Sequence, residues 1–130
     1  MTTLMKLTTM RTIFVAEDNV DLREWDEVVL NKAGFNVHAF ENGKLTLRAL
    51  LNSDVHPDLL LTDINMPEMT GTELIKEIRA HKEFDNMKII IFSSEDEVKD
   101  FEVDNVLNDV SLHKPAKAEV LVNLINKLLS

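Results

Sequence analysis

The chain has 130 residues, 45% of them hydrophobic, with three glycines, three prolines and no cysteine; this fits one domain with an apolar core and argues against disorder, disulfides and thiol chemistry. A formal net charge of −9 argues against holding nucleic acid or an anionic membrane through the overall field, and no basic cluster offsets it locally. The longest apolar runs are far too short to cross a bilayer.

The opening stretch MTTLMKLTTMRT carries scattered threonines and one lysine rather than a charged head and a continuous apolar run. It reads as an N-terminal extension over residues 1–10, not a signal peptide, ahead of a cytoplasmic domain over 11–130. Strand-length apolar runs then alternate with segments of helical period. The strands are TIFVA (12–16), NVHAF (36–40), DLLLT (58–62), KIIIF (88–92) and DVSLH (109–113). Leu22, Trp25, Val29 and Ala33 mark an amphipathic helix that Gly34 stops, with Trp25 on its inward stripe. Leu45, Leu47, Leu50 and Leu51 mark a second helix, and Leu74, Ile75 and Ile78 a third. In 95–108, Val98, Phe101, Val106 and Leu107 fit a helical stripe only loosely, whereas Val120, Leu121, Leu124, Ile125 and Leu128 mark a strong last helix. Five βα units with central strands apolar on both faces predict an α/β fold, a doubly wound parallel sheet with helices on each side. A closed eight-stranded barrel would need about 250 residues.

In such a sheet all strand carboxyl ends lie on one edge, where binding crevices form. The first strand ends in Glu17 and Asp18, the third in Asp63, the fourth in Ser93 and Ser94, and the fifth in Lys114 followed by Pro115. Each alone has an ordinary explanation as a helix cap or a turn. Together they do not, because clustered carboxylates repel and raise one another's pKa. A cation must hold them, and oxygen ligands without cysteine or paired histidines suit magnesium better than zinc.

The ordered set VAEDN, LLLTDINMPEMTG, IIIFSSEDE and HKPA resembles the receiver domains of two-component response regulators, over about residues 11–129. The resemblance implies the flavodoxin-like strand order 2-1-3-4-5 and a switch that accepts a phosphoryl group from a histidine kinase or phosphotransfer protein. It implies Asp63 as phosphoacceptor, with magnesium (manganese able to substitute) held by Asp18, Asp63 and the backbone carbonyl of Asn65, and by Glu17 directly or through water. Ser93 and Lys114 would contact the phosphoryl group. Pro67 and Gly71 would shape the turn into the third helix. Asn65 and Glu95, the residues two beyond the phosphoacceptor and the hydroxyl, would flank the path of an attacking water; this pair occurs in the chemotaxis receiver and implies a short-lived phosphoryl group, with Ser94 crowding the approach side.

The chain departs from the family pattern at Ser111, where receivers usually carry an aromatic residue three positions before the lysine, and in VLNDVSLHKP, which lacks the common Gly-Ala pair. Two other readings use the same residues. A magnesium-dependent phosphatase with an aspartyl-phosphate intermediate resembles haloacid-dehalogenase-like enzymes, but those usually carry a second aspartate where Asn65 stands. A receiver-fold interaction module working without phosphorylation would fit Ser111. Trp25 reads as core, Met66, Met69 and Met87 as packing or turn residues, and His38, His56, His81 and His113 have no metal-ligand spacing. Strand alternation sends His113 and Lys114 to opposite faces. The expected output is an unnamed downstream protein or a fused effector domain, with no direct nucleic acid or membrane binding.

Overall fold

Ile13, Phe14 and Val15 open a run of residues that point alternately to the two faces of a strand and are all apolar, so the strand can be stable only with both faces covered. In the computed structural model this is what the chain does. Residues 10–54, 56–94, 96–99 and 110–130 are described. The extension expected over 1–10 lies outside them except for Met10, as do Glu95 and most of the loosely periodic segment after it.

The strands β1 (Thr12–Ala16), β2 (Asn36–Phe40), β3 (Leu59–Thr62), β4 (Lys88–Ser94) and β5 (Val110–Lys114) form one parallel sheet in the order β2-β1-β3-β4-β5. The expected order holds. β3 starts one residue later than expected, because Asp58 is an edge clamp: its carboxylate accepts from the Thr12 N–H at 2.8 Å and faces the Arg11 guanidinium at 3.6 Å. β4 runs two residues further, since Ser93 and Ser94 still pair with His113 and Lys114, and β5 likewise includes Lys114.

The helices are α1 (Val20–Lys32), α2 (Gly43–Asn52), α3 (Gly71–Arg79) and α4 (Ala118–Leu129), with a short helical segment at 96–99. Phe14, Leu60, Ile89 and Ile91 face α2 and α3, meeting Leu50, Leu74, Ile75 and Ile78. Ile13, Leu61, Ile90 and Phe92 face the other way, onto Leu30, Leu121 and Ile125. Each such side chain taken fully out of water contributes about 1.5–3 kcal/mol, and this is what fixes the strand ends that carry the site.

α1 is rotated from its expected setting. Asp26 and Leu30 are buried, Trp25 and Val29 are half-buried, and Leu22 and Ala33 lie exposed. The cause lies at its first turns: the Asn19 side chain caps the helix by accepting from the Leu22 N–H at 3.0 Å, and Arg23 turns in to donate to the Glu17 carbonyl at 2.9 Å. Residues 23, 26 and 30 share one face of a 3.6-residue helix, so fixing Arg23 inward carries Asp26 and Leu30 with it. In α2 the inner positions are Thr46 and Leu50, with Leu51 exposed; in α3 they are Leu74, Ile75 and Ile78 as expected.

Candidate functional site at the carboxyl edge of the sheet

Asp63 leaves β3 held from both sides. Its N–H donates to the Ala16 carbonyl at 3.0 Å, continuing the β1–β3 ladder by one step, and its Oδ1 accepts from the Ile64 N–H at 2.7 Å. The chain then turns back so tightly that the Gly71 N–H donates to the Ile64 carbonyl at 2.6 Å. A Cβ on Gly71 would lie 2.1 Å from the Asp63 carbonyl oxygen, so this glycine is required by close approach of α3 to the Asp63 backbone. Thr70 and Glu73 form a capping box that fixes the start of α3 at the same point. Glu68 takes a positive φ of 68° within the turn.

Glu17, Asp18 and Asp63 can each offer a carboxylate oxygen such that all three lie within 4.8 Å of one another. Glu17 is buried, Asp63 half-buried and Asp18 exposed. The Glu17 carboxylate accepts from the Lys114 ammonium and from the Asn19 N–H at 3.2 Å. Lys114 also faces Asp63 Oδ2 at 3.6 Å and lies 5.3 Å from the centre of the Phe92 ring. Burial pushes the Glu17 carboxyl up to about 7; the Lys114 hydrogen bond opposes that and the Asp63 charge adds to it. Burial acts to lower the Lys114 pKa, but the Glu17 hydrogen bond and the Asp63, Glu17 and Asp26 charges outweigh it and leave the ammonium more firmly charged. With all three carboxylates ionised, as a bound cation would hold them, they leave two negative charges in excess of the one ammonium, the charge of one divalent cation. The donor set, all oxygen and open to solvent at Asp18, fits a hard ion that keeps several waters.

Ser93 is fully buried, and its hydroxyl lies in hydrogen-bond contact with both Asp63 Oδ1 and Glu97 Oε2. Ser94 is exposed and accepts from the Glu97 N–H at 3.4 Å, so the capping role falls to Ser94. The Asn65 side chain is exposed beside the turn, while Glu95 lies outside the described residues. His113 is exposed and Lys114 half-buried, as alternation requires.

The model for the response regulator receiver domain matches residues 13–126. The chain belongs to this family. The receiver protein CpdR of Brucella abortus is 36% identical over 121 residues, covering 92% of this chain and 98% of that protein. The regulatory protein AtoC of Escherichia coli is 36% identical over 76 residues, 58% of this receiver but only 16% of AtoC, so the chain spans a small part of that longer relative. Among solved structures, the Vibrio cholerae chemotaxis response regulator CheY4 superposes with a TM-score of 0.83 at 24% identity, covering 93% of this chain and all of that one. The receiver domain of a Pseudomonas aeruginosa sensor histidine kinase, described with a magnesium ion coordinated in its active-site cleft, superposes at 0.81 with 24% identity over 93% of this chain and 98% of that one. The receiver is thus a domain of two-component signalling. Among the described residues no helix is long and apolar enough to cross a membrane.

Three side chains at the receiver's site were not legible in the sequence. Arg23 holds the β1–α1 carbonyls. Glu97 reaches Ser93 from the helical segment that follows β4. Asp26 is only 3% exposed on α1 and lines a cleft of about 370 Å³ beside Lys114, with Trp25, Phe92 and Pro115. Only Arg23 left a signal, as the residue four beyond a capping asparagine.

Proposed function

We propose that this receiver is a phosphorylation-dependent switch in which Asp63 accepts a phosphoryl group from the phosphohistidine of a kinase or phosphotransfer protein, in the cytoplasm. The observation that carries this reading is the convergence of Glu17, Asp18 and Asp63 on one point at the strand tips, with Lys114 reaching Asp63 and the Ser93 hydroxyl against the same carboxylate. Glu17, Asp18, Asp63 and the Asn65 carbonyl would hold Mg2+, or Mn2+ in its place. The ion coordinated in the Pseudomonas receiver supports that choice. When bound, it supplies positive charge that offsets the acidic cluster and the negative donor.

The chain's own residues then do the following. A carboxylate oxygen of Asp63 forms a bond to phosphorus as the P–N bond of the phosphohistidine breaks, and the imidazole nitrogen leaves with the electron pair. Lys114 pairs with the equatorial oxygens and Ser93 donates to one of them. Asn65 and Glu95 flank the water that later hydrolyses the acyl phosphate, with Ser94 on the approach side. The new charge alters the partner-binding surface, read by a separate protein or a fused effector domain.

The test is intact-mass measurement after incubation with Mg2+ and acetyl phosphate. Wild type should gain one phosphoryl group that hydroxylamine releases, and Asp63→Asn should gain none while keeping its circular dichroism. A phosphoryl group retained on Asp63→Asn, or none on wild type, overturns the reading; the second result favours an interaction module that works without phosphorylation.

A further inference from the structure

The Ser93 hydroxyl has one proton and two carboxylates against it. Asp63 Oδ1 approaches from β3 and Glu97 Oε2 from the helical segment at 96–99, and the serine is buried, so its one hydroxyl proton is set between these two acceptors. A hydroxyl donates to one acceptor at a time. Asp63 and Glu97 therefore compete for the same proton.

Phosphorylation changes the terms of that competition. The phosphoryl group brings about −1.5 to −2 charges and three acceptor oxygens onto the carboxylate that already contacts Ser93. The hydroxyl turns to those oxygens, and Glu97 loses its donor while facing a new anion of like charge. The Glu97 backbone is meanwhile tied: its N–H donates to Ser94 and the next residue, Val98, is buried in the core. The carboxylate has to swing out, or the segment has to shift with it.

We propose that Glu97 is a positioning residue that sequesters the Ser93 hydroxyl in the unphosphorylated receiver and is expelled when Asp63 is phosphorylated. This rests on the reading of Asp63 as phosphoacceptor and adds to it a second acid, outside the metal cluster, that restrains the site. The restraint acts through the hydroxyl: Glu97 keeps Ser93 from the incoming phosphoryl group. Its release is also the means by which the residues after β4 sense the modification.

The experiment measures the rate of acyl-phosphate formation from acetyl phosphate with Mg2+ in wild type, Glu97→Gln, Glu97→Ala and Asp96→Asn, then repeats Glu97→Gln in a Ser93→Ala background. Asp96 is exposed and carries the same charge one residue away, so it controls for general electrostatics. Both Glu97 variants should react about three- to tenfold faster than wild type, and Asp96→Asn within about twofold, the scale on which a charge-assisted hydrogen bond exceeds a screened surface charge. In the Ser93→Ala background the gain from Glu97→Gln should vanish, because the residue through which Glu97 acts is gone. Equal rates in wild type and both Glu97 variants, or a gain that survives Ser93→Ala, overturn the proposal. Failure of wild type itself to take up a phosphoryl group would instead remove the underlying reading of Asp63.

Discussion

Replacing Asp26 with asparagine removes a buried charge at nearly constant shape, and its effect on stability should depend on pH with a definite sign. Among the described residues no hydrogen bond or ion pair reaches the Asp26 carboxylate, which is 3% exposed on the inner face of α1. Burial pushes its pKa up from 3.8 to about 7, with the Lys114 charge opposing and the Glu17 and Asp63 charges adding to the rise. Between those two values the folded protein binds a proton that the unfolded chain releases, so stability falls as pH rises. Below about pH 4 the acid is neutral in both states and costs nothing. Above about pH 7 the full cost is present: a rise of about three pKa units, at 1.36 kcal/mol each, gives a ceiling of about 4 kcal/mol. The adjoining cleft lets solvent approach, so about 2–4 kcal/mol is the expected span.

The assay is urea unfolding of wild type and Asp26→Asn at pH 4.5, 6, 7 and 8.5 with a chelator present, since a bound ion would add its own pH-dependent stability. Glu17 is shifted in the same direction but is common to both proteins, so it cancels to first order in the difference. Asp26→Asn should gain on wild type from pH 4.5 to about 7 and level off by pH 8.5, with unchanged m values. A difference that stays flat across that range would mean that the folded-state carboxyl titrates normally, and one that shrinks as pH rises that it is shifted downward; either refutes the argument from burial.

Gly71→Ala should destabilise the fold by about 1–3 kcal/mol in urea unfolding and slow acyl-phosphate formation, because its Cβ would lie 2.1 Å from the Asp63 carbonyl oxygen; wild-type stability with wild-type rate would refute the close-approach argument. Asp18→Ala should weaken Mg2+ binding at least tenfold, about 1.4 kcal/mol, in calorimetric titration, whereas Asp96→Ala should change it little; equal losses would mean that surface charge in general, not a site, attracts the ion. Asn65→Lys should slow phosphate loss from Asp63 about tenfold, or about 1.4 kcal/mol in barrier, followed by intact mass over time; a rate that does not change would remove Asn65 from the water path.

What the sequence disclosed and what it hid divide along a physical line. The central strands were legible because a parallel strand covered on both faces must be apolar at every position, and Leu59, Leu60 and Leu61 leave no other reading. Asp63 was legible for the complementary reason, as a carboxylate where that run stops. The setting of α1 was not, since Leu22, Trp25, Val29 and Ala33 make a regular stripe, and only Arg23, through the β1–α1 carbonyls, decides that the helix turns Asp26 inward instead. An aspartate inside a helical repeat reads as solvated by default, because burying one without a partner is costly. Glu97 was hidden by a second default: acids in the first turn after a serine satisfy the helix dipole, and nothing in SSEDE says which of them bends back to the strand. Gly71 lay between, visible as a turn but not as the space left for the Asp63 backbone. The residues that pattern misplaces are thus polar groups held where their type is unfavourable, and they stand around Lys114 and Ser93 rather than at random on the surface. Local rules fail where a site overrides them. In this receiver the override would have a direction: with Asp63 as the phosphoacceptor, the carboxylates of Asp26 and Glu97, when ionised, would each oppose a phosphoryl anion that Lys114 and a divalent ion would favour.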